Sequence, residues 1–185
     1  MPAADGSAAG STGPRVVLVG PMGAGKTTVA GLLGERWGLP VRDTDADVAA
    51  SAGQSISDLF VDHGEAHFRA LERDAVALAL AEHDGVLALG GGAVLDPATR
   101  ELLAGHPVVF LRVGLSDAVK RVGLGTSRPL LVGGVRARVK ALLDERAPVY
   151  EAVATLVVDT DDRTPDDVAD EVARRVEARE QEEAR

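Results

Sequence analysis

The chain has 185 residues, 45% of them hydrophobic but only 3% aromatic, and a formal charge of −9. That length supports one domain with its own core. The acid surplus argues against a broad nucleic-acid or anionic-membrane surface, which needs the opposite sign, and with no cysteine there is no disulfide framework, thiolate metal site or cysteine nucleophile.

Residues 1–14 contain no Lys or Arg and no apolar run. Their Gly/Ala/Ser/Pro composition predicts a disordered extension rather than a secretory signal, with the folded domain over 15–185. An aliphatic strand at 15–20 then feeds Gly20-Pro21-Met22-Gly23-Ala24-Gly25-Lys26-Thr27, a full match to G-x-x-x-x-G-K-[ST], and a helix over 26–37 follows. A strand that turns through glycines into a helix leaves N–H groups facing a small concavity at the positive end of the helix. That concavity is a site for phosphate. Lys26 is placed to reach the β/γ-phosphates, and the Thr27 hydroxyl to ligate Mg²⁺.

The next strand, 40–43, ends in Asp43-Thr44-Asp45. In extended backbone residues i and i+2 face the same way. One carboxylate can then hold Mg²⁺ through water, and the other can orient a substrate hydroxyl or accept its proton. The competing reading is an acidic helix start, to which Asp47 is assigned. Helices are predicted over 45–52, 55–63 and 65–83. On the third, Phe68, Leu71, Ala75 and Leu78 step by three or four and form the expected buried stripe. Arg69 lies beside that stripe, either at the core edge or paired with Glu65 and Glu72 one turn away.

Strand 85–89 runs into Gly90-Gly91-Gly92. Consecutive glycines let backbone approach a ligand closely, and the carboxyl edge of a parallel sheet is where ligands bind. Helix 97–104 follows an Asp96-Pro97 cap, strand 107–112 comes next, and Ser116 is expected to cap a helix over 116–122. Residues 123–136, with Arg128 at their centre, read equally as a hinged lid or a plain loop. A helix over 136–146 ends at Arg146 ahead of Pro148, and strand 155–159 leads through Thr164-Pro165 into a last helix over 165–183. This βαβα order predicts a parallel sheet with helices on both faces. No Asn-Lys-x-Asp guanine motif occurs, which disfavours a GTPase switch.

The segments 20–28, Asp43-Thr44-Asp45, 64–72 with Phe68-Arg69, Gly90-Gly91-Gly92-Ala93-Val94, Arg128-Pro129-Leu130-Leu131 and Arg146-Ala147-Pro148-Val149-Tyr150 together resemble the shikimate kinase family. They stand in its order and approximate spacing over about 15–178. The resemblance implies an α/β three-layer P-loop kinase fold of the nucleoside monophosphate kinase type. Its parallel sheet would have five strands ordered 2-3-1-4-5, with a lid over about 123–136. It implies transfer of the ATP γ-phosphoryl to the 3-hydroxyl of shikimate, in the route to chorismate and the aromatic amino acids. Gly23, Ala24, Gly25, Lys26, Thr27 and Thr28 would wrap the phosphates, with Thr27 and Asp43 serving Mg²⁺. Asp45 would bind the shikimate hydroxyls and act as base. Arg69, Gly90, Gly91, Gly92 and Arg146 would hold shikimate, the arginines taking its carboxylate. Lys26 and Arg128 would neutralise the transferring phosphoryl, and Arg121 and Arg163 would flank adenine. A cytoplasmic monomer with no nucleic-acid or membrane partner is expected. The rival readings are another small-metabolite kinase, such as a gluconate kinase, and a non-catalytic nucleotide-binding module.

Overall fold

The structure, a computed structural model, describes residues 13–124 and 134–185. Strands β1 (Val16–Val19), β2 (Val41–Asp43), β3 (Val86–Ala88), β4 (Val108–Arg112) and β5 (Leu156–Asp159) form one parallel sheet, ordered β2-β3-β1-β4-β5. The central strand pairs Leu18 with Ala88 on one side and with Val109 on the other. Parallel neighbours need helical crossovers. These include α1 (Lys26–Trp37), α2 (Thr44–Ala52), α3 (Ile56–His63), α4 (Glu65–Glu82), α5 (Pro97–Leu103), α6 (Leu115–Leu124) and α7 (Val135–Val153), and α8 (Pro165–Glu183) ends the chain. No helix among the described residues is long and apolar enough to cross a membrane.

All four residues of β1 are buried because helices cover both faces of the sheet. The period-two pleat divides its side chains between the two layers. Val16 and Leu18 pack with Val29 and Leu33 of α1 and Val172 and Val176 of α8. Val17 and Val19 pack with Val76, Ala79 and Leu80 of α4 and Tyr150 of α7. Each such Val or Leu contributes about 1.5–3 kcal/mol by burial. A satellite core of Val48, Leu59 and Phe68 joins α2, α3 and α4. Because α2 leaves the carboxyl end of β2, this satellite stands at the same edge of the sheet as the glycine loop.

The two proline-marked caps form as expected. Asp96 accepts from the Ala98 and Thr99 N–H groups, and Thr164 and Asp167 make a reciprocal capping box. Four expectations are corrected. Ser116 does not cap α6, which already includes Leu115; Gly114 precedes it and accepts from the Ala118 N–H. Leu78 is 50% exposed, and the buried face of α4 is instead Phe68, Glu72, Val76, Ala79 and Leu80. The helix lies between two cores, so Leu71 and Ala75 serve the satellite while Val76 and Ala79 serve the sheet. Helix α7 does not stop at Arg146 but continues through Pro148 to Val153. Proline lacks the N–H that would bond the Asp144 carbonyl, yet the packing of Val149, Tyr150 and Val153 on the core outweighs the lost bond. Finally, Pro14, assigned to the extension by composition, is buried, and a 3-10 turn at Ala93–Leu95 adds a short element.

Candidate active site at the carboxyl edge of the sheet

Gly25, in the left-handed region at φ 89°, turns the glycine loop into α1, and no side chain caps that helix. Its first N–H groups are therefore free to face an anion. The Lys26 ammonium folds back into the loop and donates to the carbonyls of Gly20 (2.7 Å) and Pro21 (3.0 Å). Burial lowers its pKa to about 8, against the opposing pull of Asp45 and Asp43.

The two carboxylates do not meet as alternate residues of a strand. Asp43 ends β2 and caps α2, its Oδ1 accepting from the Asp45 N–H at 2.9 Å, while Asp45 lies in the first helical turn. The cap, not the pleat, brings them to one edge. The Thr27 hydroxyl donates to Asp43 Oδ2 at 3.2 Å, so these two oxygen ligands sit side by side. A hydroxyl and one carboxylate suit Mg²⁺, which keeps several waters and is completed by phosphate oxygens. Among the described residues no cluster of three or more His, Cys, Asp or Glu forms an all-protein metal cage. The Asp45 carboxyl is pushed upward by burial and by Asp43, and held back by Lys26 and Arg69. Asp47, expected at an exposed acidic helix start, sits in the first turn of α2 and accepts from Arg42 Nε at 2.6 Å.

The glycine triplet packs against these groups. A Cβ on Gly90 would stand 2.8 Å from Glu72 Oε1 and strike Asp45 Oδ1; one on Gly92 would stand 2.7 Å from Arg69 Cζ. A Cβ on Gly91 would lie 3.6 Å from both the Gly20 oxygen and the Met22 nitrogen, against the phosphate loop. Lys26, Asp45 and Gly91 thus share one centre. Arg69 Nη1 donates to Glu72 Oε2 at 2.6 Å, and Nε reaches Glu65 Oε1 at 3.4 Å. Both helical pairings considered from the sequence are made, and the same guanidinium still lies over Gly92. Arg146 sits inside α7 with its Nε buried and unpartnered among the described residues. A buried donor without an acceptor is rare and suits an incoming carboxylate.

Gly23, Ala24, Gly25, Thr28, Arg121 and Arg163 line a second cleft of about 380 Å³ beside the loop. Arg121 donates to the carbonyls of Gly23 (3.2 Å) and Thr160 (2.8 Å), and Arg163 to the Asp159 carbonyl (3.0 Å) and to Glu171 (2.7 Å). Arg128, and with it 125–133 of the expected lid, lies outside the described residues, while the remainder of that segment belongs to the ends of α6 and α7 and to Gly134. Three residues were not singled out for function from the sequence. Thr44 is fully buried, and its hydroxyl accepts from the Gly90 N–H at 3.1 Å. Glu72 is 3% exposed beneath Arg69. Thr160 anchors Arg121.

A parallel sheet in this order, with a glycine loop, its lysine and two carboxylates at the carboxyl edge, defines a P-loop phosphotransferase of the nucleoside monophosphate kinase type. The family model described as shikimate kinase matches residues 22–177. The shikimate kinase of Frankia casuarinae is 62% identical over 158 residues, 85% of this chain and 70% of that one. That of Thermobifida fusca is 55% identical over 168 residues, 91% of this chain and 98% of that one. The structure of shikimate kinase from Acinetobacter baumannii in complex with shikimate matches with a TM-score of 0.84 at 31% identity, covering 92% of this chain and 96% of that chain. The chain belongs to the shikimate kinase family.

Proposed function

We propose that this protein transfers the γ-phosphoryl of ATP to the 3-hydroxyl of shikimate, a step toward chorismate and the aromatic amino acids. The observation that carries the reading is the meeting of the Lys26 loop, the Asp45 carboxylate and Gly91 at one point, with Arg69 and Arg146 beside it. Phosphoryl transfer is mainly positioning and charge stabilisation, so the chain supplies cations and a hydroxyl acceptor rather than a nucleophile of its own.

Gly23 to Thr28 hold the phosphates, and the cleft between Arg121 and Arg163 takes the adenine. Lys26 leaves the loop carbonyls for the β/γ-phosphates. Arg128, assigned by the family resemblance, adds positive charge at the same phosphoryl. Mg²⁺, held by Thr27 and by Asp43 through water, would neutralise charge on the phosphate oxygens. Arg69 and Arg146 clamp the acceptor's carboxylate, and Asp45 orients the reacting hydroxyl and takes its proton. A carboxyl raised above its usual range is the better matched base near neutral pH.

The direct test is ADP release measured with shikimate and with gluconate as acceptor. Turnover of shikimate alone is expected; turnover of gluconate without shikimate would overturn the assignment.

A further inference from the structure

The Arg146–Tyr150 segment carries one residue to which the reaction gives no task. Tyr150 is 1% exposed, the largest fully buried side chain among the described residues. Its ring stacks on Phe110, with centroids 5.0 Å apart and planes at 25°, in the core beneath the sheet's carboxyl edge. Phenylalanine would fill that space equally well. The hydroxyl is what needs explaining. It donates to the carbonyl of Gly91, the middle glycine of the turn that lies against the phosphate loop. The Arg146 guanidinium, one helical turn earlier on α7, lies within electrostatic reach of the same phenol oxygen, as do Arg69 and Glu72.

A planar peptide couples the two ends of this contact. Holding the Gly91 oxygen fixes the plane joining Gly91 to Gly92 and points the Gly92 N–H away from Tyr150. Without that anchor the Gly91-Gly92 turn could shift as a unit, and Gly92, where an added Cβ would stand 2.7 Å from Arg69 Cζ, would carry the shift to the guanidinium. One hydroxyl is therefore linked to Arg146 electrostatically and to Arg69 through the glycine turn.

We propose that Tyr150 is a positioning residue that fixes the spacing of Arg69 and Arg146, and through them the fit of the acceptor's carboxylate. It touches neither reactant. The proposal rests on the assignment of shikimate as acceptor, which the wild-type assay tests separately. Tyr150→Phe keeps the ring and its packing while removing the bond. The expected result is a shikimate KM raised about tenfold, with the ATP KM within about twofold of wild type and the melting temperature lowered by no more than roughly 2–4 °C. The penalty should nearly vanish for a shikimate analogue whose carboxylate is a neutral carboxamide, because the clamp then has no charge to grip. An unaltered shikimate KM, an equal penalty for the acid and the amide, or parallel rises in both KM values with a melting temperature lowered beyond that range would each overturn it.

Discussion

At the scale of single residues, the division of labour between Asp43 and Asp45 makes a sharp prediction. Asp43 is tied to the Asp45 N–H and the Thr27 hydroxyl, whereas Asp45 faces Gly90. Asp45→Asn keeps the shape and removes the proposed base. Turnover should fall by about 10²- to 10⁴-fold, with ATP affinity by calorimetry nearly unchanged. A collapse of ATP binding with normal turnover per bound nucleotide would reverse the two roles. Gly92→Ala probes the other side. The added methyl would meet the end of a flexible arginine, not backbone, so the fold should survive while Arg69 is displaced. Loss of one charge-assisted contact should raise the shikimate KM about tenfold and leave the ATP KM alone, measured by steady-state kinetics. Of the residues that the structure gathers at this edge, those that carry charge or lack a side chain were named from the sequence: Lys26, both aspartates, Arg69, Arg146 and the glycine triplet. Thr44, Glu72 and the Tyr150 hydroxyl were not assigned a task, because their partners are distant in sequence: Thr44 and Gly90 are 46 positions apart, and Tyr150 and Gly91 are 59. No local pattern announces such a contact.

At the scale of elements, local chemistry was most readable where a helix begins. The Thr164 hydroxyl accepts from the Asp167 N–H at 3.1 Å, and the Asp167 carboxylate accepts from the Thr164 N–H at 3.3 Å, with Pro165 preset for the first turn. Thr164→Ala should destabilise the protein by about 1 kcal/mol. For a domain of this size that lowers the melting temperature by roughly 2–4 °C, readable by calorimetry, with kinetics at 25 °C little changed. A fully wild-type melting curve would mean that α8 is held by Val168, Val172 and Val176 alone. The places where the sequence misled share a cause. Pro148 marks a helix end locally, but the core contacts of Val149, Tyr150 and Val153 carry α7 past it. Leu78 fits a single apolar stripe, but α4 has two cores to serve, and its buried arc follows both. Extended backbone was assumed for Asp43 to Asp45, but the cap turns the chain into helix one residue earlier. In each case tertiary packing or a cap overrides a correct local preference.

At the scale of the whole molecule, a chain of formal charge −9 nonetheless gathers Lys26, Arg69 and Arg146 at one edge of its sheet. That edge is where the sheet order brings the ends of β1, β2 and β3 side by side, with β1 between β3 and β4. The arrangement has a cost that pH exposes. Lys26 is half-buried among loop carbonyls, and desolvation lowers its pKa from 10.5 to about 8. For a base whose folded pKa lies below its unfolded value, the unfolded chain binds more protons between the two. The ligand-free protein therefore gains stability from this group as pH rises from about 8 toward 10.5, and carries the full penalty below about 8. Nucleotide phosphates reverse the balance: a multiple anion beside the ammonium favours the charged form. ATP binding should then draw a proton onto Lys26, and affinity should weaken as pH rises through about 8. Calorimetry at pH 8.0–8.5 in buffers of different ionisation heat should show uptake of roughly half a proton per ATP. Lys26→Arg, which retains the charge but does not titrate in this range, should abolish the uptake even where some binding remains. Proton release, or the same uptake in the arginine variant, would place the titrating group elsewhere and remove Lys26 from the phosphate site.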